Sequence, residues 1–154
     1  MLSEEHPELK LLIGGKGKLK GFVEKETRNC SNIHYLGFVP DDYLKDVYAA
    51  SDVFAFLGEK ETGGPLTIIE AMANHLTVLV PDDGGAAYEI IKNGINGFIT
   101  PHDEKLLLDN IKNIICLHEK NKLERIKDNA YNWIKKYATA EKAKKDFLKF
   151  LKRT

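Results

Sequence analysis

Residues 63–73 read Gly-Gly-Pro-Leu-Thr-Ile-Ile-Glu-Ala-Met-Ala, a glycine loop that runs directly into an apolar helix. Pro65 suits the first helical position, because the N–H that proline lacks would have no helical partner there. The two glycines before it let the backbone approach a ligand closely. The N–H groups of Leu66 and Thr67 are then expected to point out of the positively polarised helix start, which suits a phosphate group.

Glu70 is the one charged side chain of this stretch. It lies five residues beyond Pro65, more than one turn inside the helix, so it does not act as a capping residue. Because the run around it is otherwise apolar, we expect a buried carboxylate, enclosed by apolar neighbours and in need of hydrogen-bond partners. A ligand that carries hydroxyl groups would supply them.

Short apolar runs that end at glycine or proline recur on both sides of this helix and are typical of buried parallel strands. They lie at 10–14, 33–40, 53–57, 77–81 and 97–100. Stretches with helical spacing separate or follow them, and the apolar stripes of the last three helices are predicted to be core. The alternation predicts an α/β fold, a Rossmann-like doubly wound parallel sheet of about five strands.

Ligands of such sheets bind at the carboxyl ends of the strands. Gly15, Val39, Glu61, Gly64 and Gly84 all follow predicted strand ends. We therefore expect them to lie at one edge of the sheet, together with the start of the central helix.

From Leu9 onward the chain resembles the donor domain of retaining glycosyltransferases of the B fold, the large family that includes the glycogen synthases. The signature of that family is two glutamates separated by seven residues and followed by Ala-Met-Ala, and Glu70 with residues 71–73 matches its second half. Four further segments are similar to the family, and they lie at 35–39, 48–54, 82–91 and 93–103. The resemblance implies the carboxyl-terminal half of a two-domain enzyme.

The resemblance implies that Glu70 holds the ribose of a nucleotide-diphosphate sugar. The first glutamate of the signature contacts the donor sugar, and here Thr62 occupies its position while Glu61 lies one residue earlier. Either a one-residue bulge restores Glu61 to the site or the signature is degraded, and a solvated loop carboxylate is the alternative. Glu61 and Glu70 are the two candidate catalytic residues.

The remaining donor contacts are also implied by the resemblance. Val39 is expected to line the base pocket, and the turn at Gly15 faces the donor phosphates or is a plain strand-to-helix turn. The other candidate donor-binding residues are Thr62, Gly63, Gly64, Leu66, Thr67, Gly84 and Gly85. Glu89 is either a ligand residue or a helix-surface carboxylate. No metal and no cofactor are expected, since the nucleotide sugar is the substrate.

Two parts of the family find no match in this chain. One is the amino-terminal domain that binds the acceptor, a glycan or a lipid-linked sugar, and the other is the first strand and helix of the donor domain. In a doubly wound order of 3-2-1-4-5-6 that first strand is central, and its loss leaves two strand edges unpaired. We expect either that the remaining strands close the gap or that another chain, a partner or a second copy, fills it.

The length of 154 residues suits one domain over 1–154, with helices in 120–154 packing across it. After residue 119 there are 12 Lys and Arg against 4 Asp and Glu, and residues 1–119 carry 11 against 19. The acidic main body does not indicate nucleic-acid binding. The basic end is compatible with peripheral contact to an anionic membrane or to a partner, and it is also typical of a solvated helix face.

Two distant cysteines, Cys30 and Cys116, lack metal-ligand spacing and indicate buried free thiols in a reducing compartment. No apolar run reaches the roughly 18 residues of a membrane span, and the first ten residues lack a signal-peptide core. We expect a cytoplasmic protein, or one peripheral at the inner face of the membrane.

Three functions follow from these patterns. The first is the donor half of a retaining hexosyltransferase, which alone lacks full activity. The second is a non-catalytic nucleotide-sugar-binding remnant or subunit that needs a separate acceptor-domain chain. The third, a nucleotide-sugar epimerase of the same fold, fits residues 70–73 less well.

Overall fold

A computed structural model describes residues 2–58, 66–83 and 89–151. In chain order its helices and strands are α1 (Leu2–Glu5), β1 (Leu11–Gly14), α2 (Lys20–Asn29), β2 (Ile33–Gly37), α3 (Asp41–Ala49), β3 (Val53–Ala55), α4 (Leu66–Ala73), β4 (Thr77–Pro81), β5 (Phe98–Thr100), α5 (Glu104–Glu119), α6 (Leu123–Tyr137) and α7 (Ala140–Leu151). From α1 to β4 the helices and strands alternate as the sequence pattern predicts, and three helices follow β5.

The five strands are all parallel, which confirms the predicted α/β class, but they form two sheets. One sheet has the order β1–β2 and the other has the order β3–β4–β5. In the part of the chain that the structure describes, β1 pairs with β2 alone and β3 with β4 alone. The expectation that the remaining strands close into one sheet is therefore wrong, because no described strand pairs with the free edge of β1 or of β3. That another chain fills the gap stays a prediction.

The chain divides into two compact units, Met1–Asp46 and Val47–Thr154. In the first unit, β1 and β2 run in register from Leu11 opposite Ile33, with an irregularity after Ile13. Helix α2 has no buried residue, which fits its prediction as a surface helix. The prediction of a single domain over 1–154 stays a prediction.

The second unit is built around β4, whose five residues are all buried between β3 and β5. Leu79 of β4 and Phe98 of β5 pack with residues of the two helices that follow, Ile114, Leu123 and Ile126. Helix α6 also contacts α4. This core holds α4 in place, and α4 is the helix that the sequence marks as central.

Three helix ends are capped by local side chains or by a backbone turn. The Asp103 side chain accepts a hydrogen bond from the N–H of Leu106 at 2.9 Å, and Thr139 Oγ1 accepts one from Lys142 N at 3.2 Å. After α4 the chain turns at His75 with φ +58°, the left-handed conformation expected at a helix end. The His75 ring stacks on Tyr131 of α6 with 3.9 Å between ring centroids, which compensates part of the backbone strain.

Two expectations about burial are wrong. The apolar stripe of α7 is not core: Phe147, Phe150 and Leu151 are 62%, 64% and 52% exposed, and no residue of α7 is buried. Helical spacing identifies an apolar face, but the described residues do not cover this one. Both cysteines are free, as predicted, but they are half-buried rather than buried.

Replacing Thr77 with valine is expected to raise the free energy of unfolding by about 1 kcal/mol. Thr77 is fully buried, and its hydroxyl finds no hydrogen-bond partner among residues 2–58, 66–83 and 89–151. Thr100→Val is the matched control, since that buried hydroxyl donates to the carbonyl of Pro101 at 3.3 Å and its loss should not stabilise. Urea unfolding of the two variants is the measurement, and equal destabilisation by both would contradict this account.

Candidate functional site

Helix α4 spans Leu66–Ala73, and within this span the N–H groups of Leu66 and Thr67 have no helical acceptor. One face of α4 is anchored in the core through Ile68, Ala71 and Met72. The opposite face is open, and Leu66 on that face is 73% exposed. The core thus fixes a helix whose positive end and outer face are both left accessible by the described residues.

The hydroxyl of Thr67 does not share this accessibility. Its Oγ1 atom is shielded from water and hydrogen-bonds no described residue. Residues 59–65, which lead into the helix, lie outside the described part of the chain. The predicted phosphate contact of Thr67 therefore rests on its N–H group rather than on its hydroxyl.

Glu70 lies on the open face of α4, one turn after Leu66, and it is exposed. The expectation of an acid enclosed by apolar neighbours is wrong, because the helical repeat turns Ile68, Ala71 and Met72 inward and Glu70 outward. Its carboxylate has a protein partner, since Oε2 accepts a hydrogen bond from the Tyr48 hydroxyl at 3.2 Å. Among the described residues no other donor to this carboxylate is found.

Tyr48 is the residue that sequence reasoning missed. It ends the apolar stripe of α3, it is only 5% exposed, and its ring packs edge-to-face on Phe54 at 5.9 Å between centroids. Burial, and then the nearby Glu70 carboxylate, raise the pKa of Tyr48 to about 12. The hydroxyl therefore remains a neutral donor at physiological pH. The family-like segment at 48–54 begins with this tyrosine and was the signal available for it.

Alkaline pH is expected to weaken the fold through Tyr48. Its pKa lies above the ordinary value of 10.0, so the folded state holds this proton more tightly than the unfolded state. The resulting stability is complete below pH 10 and is lost as the pH rises towards 12. The difference in unfolding free energy between wild type and Tyr48→Phe should fall by about 2 kcal/mol across this window. A difference that does not change with pH would contradict the assignment.

In the first unit Val39 lies beside Gly14, the residue before Gly15, whereas a methyl group added at Gly15 itself would meet nothing within 4 Å. A methyl group added at Gly14 would lie 3.5 Å from Cγ2 of Val39. Gly15 adopts φ +129°, a conformation that favours glycine, and its carbonyl accepts a hydrogen bond from the Tyr35 hydroxyl at 2.9 Å. An open groove lies beside this turn and is lined by residues that include Lys16, Lys20, Tyr35 and Phe38. The roles of Gly15 and Val39 toward a donor stay predictions.

The other predicted site residues, Glu61, Thr62, Gly63, Gly64, Gly84 and Gly85, lie outside the described part of the chain. Their roles, and the shared edge that they were expected to form, stay predictions. Within the described ranges no three His, Cys, Asp or Glu side chains come together in a way that would hold a metal ion. The helices described also include none with the length and apolar character needed to cross a membrane.

Curated relatives are glycosyltransferases. The O-antigen biosynthesis glycosyltransferase WbnH of Escherichia coli is 28% identical over 137 residues, which cover 89% of this chain and 38% of WbnH. The sulfoquinovosyl transferase SQD2 of Arabidopsis thaliana is 30% identical over 135 residues, covering 85% of this chain and 26% of SQD2. The chain thus spans well under half the length of these relatives.

Solved structures agree with the fold. HepE of Anabaena in complex with UDP-glucose is 27% identical with a TM-score of 0.66, and the match covers 82% of this chain and 36% of HepE. A glycosyltransferase of Rickettsia africae is 22% identical with a TM-score of 0.77, over 99% of this chain and 42% of that protein. These neighbours have the B fold of glycosyltransferases, and the likeness is consistent with a Rossmann-like carboxyl-terminal half.

The profile of one protein family, described as glycosyl transferases group 1, matches residues 1–133. It covers most of the chain, including all of α4 and the segment that begins at Tyr48. This confirms the resemblance drawn from residues 70–73. The chain belongs to the group 1 glycosyltransferases.

Proposed function

We propose that this chain binds a uridine-diphosphate sugar and presents it for transfer of a hexosyl group. The observation that carries the proposal is the pairing of the α4 start with Glu70 on one open helix face. Leu66 and Glu70 are one turn apart, about 6 Å along the axis. A single ligand can therefore place its diphosphate at the first-turn N–H groups and its ribose hydroxyls at the carboxylate.

The choice of uridine is supported by the neighbouring structures. HepE, at 27% identity, is described in complex with UDP-glucose, and a pneumococcal O-GlcNAc transferase is described with UDP and GlcNAc. Those ligands belong to those proteins. They make uridine the first base to test here, and glucose and N-acetylglucosamine the first sugars.

In this proposal the chain contributes orientation and electrostatics to the transfer. The polarised start of α4 stabilises the negative charge that develops on the leaving diphosphate. Glu70 anchors the ribose and so holds the anomeric carbon of the sugar at a defined position. Glu61 is proposed to contact the donor sugar. The donor is a substrate, and no metal ion or cofactor is proposed.

Acceptor binding is proposed to require a polypeptide that these residues do not supply, since the chain corresponds to 38% of WbnH. The acceptor would be a glycan or a lipid-linked sugar, bound by an acceptor domain or a partner chain. One neighbour, the GtfA/B complex, is itself an assembly. The lysine-rich helix α7, with its exposed Phe147 and Phe150, is the surface proposed for peripheral contact with a membrane.

The relatives carry the names of transferases, which favours transfer over the non-catalytic alternative. We nevertheless expect the chain alone to bind the donor without efficient turnover. Release of UDP from UDP-glucose should rise when a separately expressed acceptor domain is added. If no such domain restores turnover while binding persists, the non-catalytic alternative is the better description.

Calorimetric titration of the chain with UDP, UDP-glucose and GDP-mannose tests the donor proposal. We expect both uridine ligands to bind, and to bind more tightly than GDP-mannose. If neither UDP nor UDP-glucose binds at millimolar concentration, the proposal is overturned. If GDP-mannose binds more tightly than the uridine ligands, the proposed donor site stands and only the proposed base is wrong.

A further inference from the structure

We propose that Tyr48 is a positioning residue of the donor site, whose hydroxyl holds the Glu70 carboxylate in the orientation that receives the ribose hydroxyls. This inference rests on the proposed function, because it assigns Tyr48 a role only through Glu70. It is carried by one contact, Tyr48 Oη to Glu70 Oε2 at 3.2 Å, between residues 22 positions apart.

The contact joins the buried side chain of Tyr48 to the exposed side chain of Glu70. Tyr48 is buried, and its ring is held edge-to-face against Phe54 with 74° between the ring planes. Glu70 stands on the exposed face of α4. An unrestrained glutamate of this kind has three rotatable side-chain bonds, and ordering them on ligand binding carries an entropic cost. A hydrogen bond from a rigid donor moves part of this cost from ligand binding to folding.

The hydrogen bond from Tyr48 leaves the Glu70 carboxylate able to accept further hydrogen bonds from a ligand. An ionised carboxylate has about four lone-pair positions on its two oxygens. The tyrosine hydroxyl engages Oε2, and among the described residues no donor engages Oε1. A vicinal diol can therefore still donate to the carboxylate. Because the tyrosine hydroxyl is neutral, it orients Glu70 without cancelling its charge. A lysine at this position would cancel that charge.

Tyr48 does not itself reach the ligand side of α4. It is 5% exposed, whereas Glu70 and Leu66 are exposed on the outer face of the helix. Its effect is therefore indirect, and it should appear in the recognition of the ribose rather than of the phosphates. This separates a positioning role from a general contribution to stability.

The test compares UDP with 2′,3′-dideoxyuridine diphosphate, which lacks both ribose hydroxyls, by calorimetric titration of wild type and Tyr48→Phe. In wild type we expect UDP to bind more tightly than the dideoxy analogue. In Tyr48→Phe the dissociation constant for UDP should rise about tenfold while that for the analogue changes less than about twofold. Tyr131→Phe is the matched control, because it deletes the same atom from a tyrosine of α6 that stacks on His75.

The outcomes separate this inference from the function on which it rests. If wild type binds both nucleotides equally, the ribose contact of Glu70 is wrong and the inference falls with it. If wild type discriminates and Tyr48→Phe discriminates equally well, the positioning role is overturned and the proposed function stands.

A second measurement applies even if Tyr48→Phe does not fold. Spectrophotometric titration of the tyrosines in Glu70→Gln should show the pKa of Tyr48 below its wild-type value, because the carboxylate charge contributes to the rise. A tyrosine titration identical to wild type would mean that the hydroxyl and the carboxylate are not in contact, and it would overturn the inference.

Discussion

Replacing Gly97 with alanine is expected to destabilise the Val47–Thr154 unit by about 3 kcal/mol. Gly97 is buried immediately before β5. An added methyl carbon would lie 2.7 Å from Cγ2 of Val78, 3.1 Å from Cγ2 of Ile91 and 3.2 Å from the carbonyl oxygen of Val78. A side chain can rotate away, but the carbonyl belongs to β4, the central strand of its sheet. The clash is therefore relieved only by moving backbone in the core.

Gly94→Ala is the matched control for this prediction. Gly94 has φ +72° and nothing within 4 Å of an added methyl carbon, so its replacement costs backbone strain alone, roughly 1 kcal/mol. The fluorescence of Trp133, the single tryptophan, reports unfolding of the same unit in urea. If Gly97→Ala lowers the free energy of unfolding by no more than Gly94→Ala does, the close packing of β4 against Gly97 is wrong.

Replacing Glu70 with alanine is expected to raise the dissociation constant for UDP by about a hundredfold, because each hydrogen bond to a charged group contributes about 1.5–3 kcal/mol. Glu70→Gln should cost less, about tenfold, since its amide oxygen still accepts from Tyr48 and from a ribose hydroxyl. Both variants should unfold cooperatively by Trp133 fluorescence, because Glu70 is exposed.

Glu119→Ala provides the control for this series. Glu119 is an exposed carboxylate at the last residue of α5, and it has no assigned role in the donor site. Its replacement should leave the affinity for UDP unchanged. An affinity of Glu70→Ala within about twofold of wild type would remove Glu70 from the donor site.

The strands were predictable because each is a short apolar run bounded by turn residues. Thr77–Pro81 has the predicted bounds, and its five residues are all buried, as a continuous apolar run requires. The order of the strands was harder to predict. The two sheets reproduce the outer parts of the order 3-2-1-4-5-6, but local pattern carries no information about how unpaired edges are resolved.

Two of the errors about side-chain environment, at α7 and at Glu70, have the same physical origin. Helical spacing predicts that Phe147 and Phe150 share a face of α7, but not whether other residues cover that face. Around Glu70, the apolar composition of α4 concealed that one side of the helix is open. In both cases exposure depends on neighbouring elements, which a single helix sequence does not encode.

The site was predicted in part. The sequence predicts a helix after the glycines and the proline, and the structure contains that helix as α4, Leu66–Ala73. The phosphate contacts at Leu66 and Thr67 stay predictions. The Tyr48–Glu70 contact was not predictable, because it joins the end of α3 to the middle of α4 through the fold of the unit. The tyrosine was visible in the sequence as one position of an apolar stripe and as the first residue of the family-like segment at 48–54.

The most direct test of the donor site is an NMR titration of the isotope-labelled chain with UDP, followed through the backbone amide resonances. The account predicts that the largest shifts fall on Leu66, Thr67 and Glu70, at the start and on the open face of α4. Saturation by UDP that leaves these three amides unmoved would contradict it.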